Sequence, residues 1–156
     1  MNKVGTMSNM LLRASWVVYA AALVVPAVHS TTLNASRATY GWEIVVSFPL
    51  FIVNPLFLTR PMIWAYMTAV YASNLVVWLG PRFRWRILQG RAPAGHRLAM
   101  ALALVCAVSI AAGVPMRLGV AVEQLLIGYY CWVLSIVISI AALLWTDRDV
   151  PVRGSA

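Results

Sequence analysis

Residues 80–97 read GPRFRWRILQGRAPAGHR, and this stretch decides the fold. It carries Arg82, Arg84, Arg86, Arg91 and Arg97 with no acid, and apolar runs flank it on both sides. A short segment this basic between two apolar runs is held on the cytoplasmic side of a membrane and sets the direction of the spans on either side. Composition agrees. At 62% hydrophobic and 10% charged, with mean hydropathy +0.82, the chain carries more apolar surface than a soluble domain of 156 residues can hide from water. The net charge of +8 does not call for nucleic acid, because the basic residues sit beside apolar runs, where anionic headgroups attract them. The lipid bilayer is thus the expected partner, with anionic lipids at the basic loop and no nucleic acid.

Working outward, Met62–Leu79 is 18 residues without a charge and long enough to span. Pro61 suits its first turn, and Trp64, Tyr66 and Trp78 mark its ends. Ala65, Ala69 and Ser73 recur every fourth residue, a small-residue seam, and Asn74 is the one amide inside. Beyond the loop, residues 98–114 form another span, with Ala99, Ala103, Ala107 and Ala111 as an i, i+4 ladder for close helix packing. Residues 125–145 form the last span, where Gly128, Cys131, Ser135, Ser139 and Ala142 fall on one face. A polar tail, 146–156, is expected to be disordered.

The first span covers residues 11–29, with Arg13 snorkelling to headgroups. A basic start and Val28-His29-Ser30 also resemble a secretory signal, but the small-residue cleavage pattern is imperfect, which favours a retained anchor. Ser30–Tyr40 reads as a polar loop. Residues 41–58 are apolar but interrupted by Pro49 and by Asn54-Pro55, with Glu43 near the start. Prolines remove backbone donors, and broken backbone at membrane depth survives only where protein or water satisfies it. The segment is therefore expected to be re-entrant or interfacial.

The expected fold is all-α: a transmembrane bundle of four spans plus this broken segment, in one domain, with both termini cytoplasmic. Lys3, Arg13, Arg82, Arg84, Arg86, Arg91, Arg97, Arg148 and Arg153 then lie inside, against Arg37, Arg60 and Arg117 outside, as the positive-inside rule asks. The alternative is five spans, with 41–58 crossing.

Four short motifs carry a resemblance: Pro26-Ala27, Gly41-Trp42, Tyr71-Ala72-Ser73-Asn74, and Gly128-Tyr129-Tyr130-Cys131-Trp132-Val133-Leu134-Ser135. In order and spacing, from about Pro26 to Ala142, the chain resembles a group of small uncharacterised bacterial integral membrane proteins with Gly-Trp after the first span and Gly-Tyr-Tyr-x-Trp-x-x-Ser opening the last. That group commonly has Asn-Pro in the middle span, where this chain has Asn74-Leu75. The resemblance implies a bacterial inner membrane and brings no activity with it.

Few residues could carry chemistry. Glu43 and Glu123 are the acids near apolar runs, expected at headgroup level beside Arg37 or Arg60 and beside Arg117. Asn74 could bind a ligand, though an intramembrane amide more often bonds a neighbouring helix. Ser135 and Ser139 lack a base, and Cys106, Cys131, His29 and His96 have no ligand spacing, so no catalytic, cofactor or metal residues are assigned. Three function classes follow. The first is a non-catalytic assembly or accessory component, self-associating or bound to a membrane partner, that packs through the small-residue faces. The second is a small transporter or channel using Asn74, Glu43 or Glu123. The third is a membrane-embedded lipid enzyme.

Overall fold

A computed structural model describes residues 3–32, 35–46, 59–91, 95–112 and 124–149. Four helices make the body: α1 (Lys3–Val24), α2 (Pro61–Leu88), α3 (His96–Ala111) and α4 (Ile127–Asp149). Three strands, β1 (Pro26–Thr32), β2 (Ala35–Tyr40) and β3 (Gln124–Leu125), and a short helical stretch at 41–46 complete the described elements. Thr6–Val24, Pro61–Leu88 and Ile127–Arg148 are each long and apolar enough to cross a membrane, while α3 is a shorter apolar helix.

Successive helices run antiparallel. Ser8 meets Arg84 and Arg97 meets Asp147, which puts the start of α1, the end of α2, the start of α3 and the end of α4 at one end of the bundle. The sheet sits at the other end, where Ala27 and Val28 pack with Tyr129 of α4 and with Tyr66 and Val70 of α2.

The described residues are mostly helical, as expected, and a small sheet is added to them. Residues 30–32 and 35–40 belong to an antiparallel hairpin, β1 with β2, in register from His29–Ala38 to Thr32–Ala35. β3 adds to the other edge of β1 through Val28–Leu125 and His29–Gln124. The described stretch carries β-branched Val28, Thr31, Thr32 and Thr39, which favour a pleated surface. Tertiary context decides: the hairpin closes over the bundle end, and Leu126 N–H donates to Ala27 C=O at 2.8 Å.

Several boundaries move with it. α1 ends at Val24, so the expected span end at 25–29 is turn and strand. α4 starts at Ile127 rather than Leu125 and continues through Thr146 and Asp147, residues expected in a disordered tail. α2 runs on to Leu88, nine residues into the expected basic loop (80–88), despite Pro81. A proline costs a helix one hydrogen bond and some bend, and here packing outweighs it. Ile87 is 2% exposed and packs in the core that also holds Met100 and Leu143, with Phe83 against it. The loop shrinks to the connection after Leu88, where Gly90 (φ 68°) and Gly95 (φ 77°) adopt the left-handed conformation that glycine tolerates. Residues 41–46 are helical; the rest of the broken segment, 47–58, lies outside the described residues.

Candidate functional site

The buried faces of the helices follow a 3.5-residue period rather than the 4-residue ladders read from the sequence. On α1 the buried residues are Ser8, Leu12, Ser15, Tyr19 and Ala22, spaced four, three, four, three. On α4, Gly128, Ser135, Ser139, Ala142 and Thr146 are buried, with Trp132 half-buried in step between them. These two seams meet, and α1–α4 is the most extensive helix interface. A period of 3.5 keeps one stripe facing one partner, as in coiled coils. Steps of four residues drift about 40° each around a helix of 100° per residue.

That drift explains where the expected packing residues fall. Ala103 (4% exposed) and Ala107 (0%) are in the core with Met100, whereas Ala99 is exposed. The side chain of Ala111 lies outside the described residues. On α2, Ser73 is buried but Ala65 and Ala69 are exposed, so that seam is not the packed face. Ile63, Ser73, Val77, Gly80 and Ile87 are instead, again in steps of 3.5. Gly128, Ser135 and Ser139 are all buried within the chain, and Cys131 is half-buried beside the seam, the seam position being Trp132.

Hydroxyls and one amide thread the seams. Ser139 Oγ donates to Ser15 Oγ at 3.0 Å across α1–α4, and Ser15 Oγ donates to Leu12 C=O at 2.8 Å. Ser135 Oγ donates to Trp132 C=O at 2.7 Å. Asn74 is engaged on both sides: Trp132 Nε1–H donates to its Oδ1 at 2.6 Å, and its Nδ2 donates to Tyr71 C=O at 2.9 Å. The amide and the indole therefore link α2 to α4, and both are motif residues read from the sequence.

The glycines of the other motifs converge one layer away. A Cβ on Gly128 would lie 2.7 Å from the carbonyl oxygens of both Val25 and Pro26. A Cβ on Gly41 would collide with the carbonyl oxygen of Ala22. Both glycines thus let backbone approach the α1–β1 junction, where Pro26-Ala27 turns the chain. Four motifs scattered in sequence meet in two adjacent layers.

Among the acids, Glu43 accepts from Tyr40 N–H at 2.9 Å and pairs with Arg37 at 3.4 Å, at the sheet end. Its position is that of a cap on the stretch 41–46, in solvent reach. Glu123 lies outside the described residues. Asp147 takes Arg97 Nε (2.8 Å) and Nη2 (2.7 Å) on Oδ2, with His96 Nε2 3.7 Å from Oδ1, which clamps α3 to α4 at the opposite end. Arg84 Nε–H donates to Ser8 Oγ at 2.8 Å and fastens α2 to α1 there. Sequence reading gave no role to Ser8, Ser15 or Asp147 and did not pair Trp132 with Asn74. The signal for the first two was available as the 3.5-residue spacing of Ser8, Leu12, Ser15, Tyr19 and Ala22.

Among the described residues no group of three His, Cys, Asp or Glu side chains is placed to hold a metal ion. No protein-family model, curated protein or solved structure matches the chain.

Proposed function

We propose that this chain is a four-span integral membrane protein with a non-catalytic assembly or accessory role, and that its small-residue faces close its own bundle. The observation that carries this reading is the state of Asn74, the polar group best placed for a ligand. Its oxygen and its nitrogen are both engaged by the protein, one across the helix interface and one along α2. A transport site built on Asn74 would require those bonds to open.

Helix order supports the span count. Tyr40 closes a hairpin at the sheet end, and α2 begins near that same end, so the chain between them returns to the side it left. An even number of crossings between these points fits a re-entrant or interfacial 41–58 rather than a fifth span. Open sheet edges are not tolerated in hydrocarbon, which favours a hairpin at the outer interface. Both termini then share the cytoplasmic side with Arg82, Arg84, Arg86, Arg91 and Arg97. The packing of α1 on α4 supports a retained first span, since a cleaved α1 would leave the buried face of α4 uncovered. The bacterial inner membrane is the location the motif resemblance implies. The outer face of α3, with Leu98, Leu102, Val105 and Val108 exposed, faces lipid or a membrane partner.

A double-mutant cycle on Asn74→Leu and Trp132→Phe tests the structural role. The coupling in thermal or denaturant unfolding is expected at about 0.6 kcal/mol, with an upper bound of about 1.7 kcal/mol. Zero coupling, together with loss of solute flux in liposomes carrying Asn74→Leu, would move the assignment to a transporter.

A further inference from the structure

The last two turns of α2 carry a surface whose direction is fixed by what is buried behind it. Ile87 is locked in the core, Phe83 packs against that core and Arg84 is fastened to Ser8. Arg82, Trp85 and Arg86 therefore face outward, with Trp85 59% and Leu88 48% exposed. Arg82 and Arg86 are one turn apart and lie side by side on the helix surface. At 28 residues α2 is about 42 Å long, so it exceeds a hydrocarbon core of about 30 Å, and its end emerges at headgroup depth.

Charge balance makes this face unusual. The one acid with a described side chain at this end is Asp147, and Arg97 already occupies it. Arg82 and Arg86 have no ion-pair partner among the described residues. Two arginines on one face with an exposed tryptophan between them combine a phosphate-binding pair with an aromatic that favours the headgroup interface.

We propose that the Arg82–Trp85–Arg86 face of α2 holds an anionic phospholipid. The arginines bind the headgroup phosphate, and Trp85, between them on the same face, packs beside the glycerol region. The face is independent of the Asn74–Trp132 bridge, so the assembly role and the lipid site stand or fall separately.

Delipidated protein in a neutral detergent, titrated with phosphatidylglycerol or with phosphatidylcholine, tests the site, with bound lipid counted by native mass spectrometry. Phosphatidylglycerol is expected to bind selectively and to raise the unfolding midpoint. Each arginine contributes about fivefold, so Arg82→Gln with Arg86→Gln should weaken phosphatidylglycerol binding about thirtyfold. Both substitutions are at exposed positions and leave the core intact. The Arg82→Lys, Arg86→Lys pair retains most binding, and Arg60→Gln at the sheet end changes nothing. Binding should fall as salt rises. Equal binding of phosphatidylcholine, an unchanged affinity in the Gln pair, or displacement by millimolar inorganic phosphate would each overturn the proposal.

Discussion

Gly128→Val is expected to abolish a stable fold, with little protein surviving detergent extraction as a monodisperse species. The new Cβ would sit 2.7 Å from two carbonyl oxygens, those of Val25 and Pro26, and 2.9 Å from Val25 Cγ2. Backbone carbonyls cannot swing aside as a side-chain tip can. The strand that carries Pro26 is pinned further by pairing to β2 and by the bond from Leu126 N–H to Ala27 C=O. Relief would require α4 to move away from the α1–β1 junction, which opens the most extensive helix interface among the described residues. Overpacking commonly costs about 1–3 kcal/mol, and backbone obstruction places this substitution at or above the top of that range. Gly41→Val, facing the Ala22 carbonyl, should behave similarly. Fluorescence-detected size exclusion with a thermal ramp reads both. A Gly128→Val protein with wild-type midpoint would show that the junction is looser than its geometry.

Ala107→Leu is the second large effect, and Ala103→Leu its companion. Ala107 has no exposed surface and Ala103 has 4%, both in the core with Val77, Ile136 and Ile140. Three extra carbons at either position force helix backbones apart, a loss of about 1–3 kcal/mol. The comparison positions lie on the opposite side: Leu102 is 57% and Leu104 39% exposed, so Leu102→Ala and Leu104→Ala should cost well under 1 kcal/mol in a lipid-like environment. Ala99→Leu should also be tolerated, because Ala99 has drifted off the seam. Equal losses at positions 99, 103 and 107 would restore a strict four-residue ladder and refute the 3.5-residue seam. The ordering is measured by urea or thermal unfolding of the purified variants.

The helical character of the chain could be read from its apolar runs, and so could Pro61 at the start of α2. Run length and charge report directly on helices that cross a bilayer. The choice of packed face was less legible. Small residues at every fourth position draw the eye, yet Ala65, Ala69 and Ala99 are exposed, because a four-step stripe rotates away from any straight partner. Ser8 and Ser15 were hidden for a different reason: the seam that buries them alternates with Leu12 and Tyr19, so it is not uniformly small. The sheet was not legible, since Ser30–Tyr40 has no strict alternation and β3, which extends the hairpin at Val28 and His29, lies about 95 residues away in sequence. The continuation of α2 past Pro81 was masked by local rules that a distant contact, Ile87 in the core, overrides. For the site, Asn74 was identified as the amide that matters, but its partner Trp132 could be found only from the fold.

Side of exposure is the property on which the four-span arrangement depends most. With Cys106 and Cys131 first replaced, single cysteines at Ala38 and at Gln89 are labelled with a membrane-impermeant maleimide in intact cells. Four spans require Ala38→Cys, on β2, to react from outside and Gln89→Cys, after α2, to react only after lysis. Gln89→Cys serves as the inside reference, since the end of α2 is cytoplasmic in either arrangement. Labelling of Ala38→Cys only after lysis, with an N-terminal tag accessible from outside, would establish five spans and contradict the placement of the hairpin.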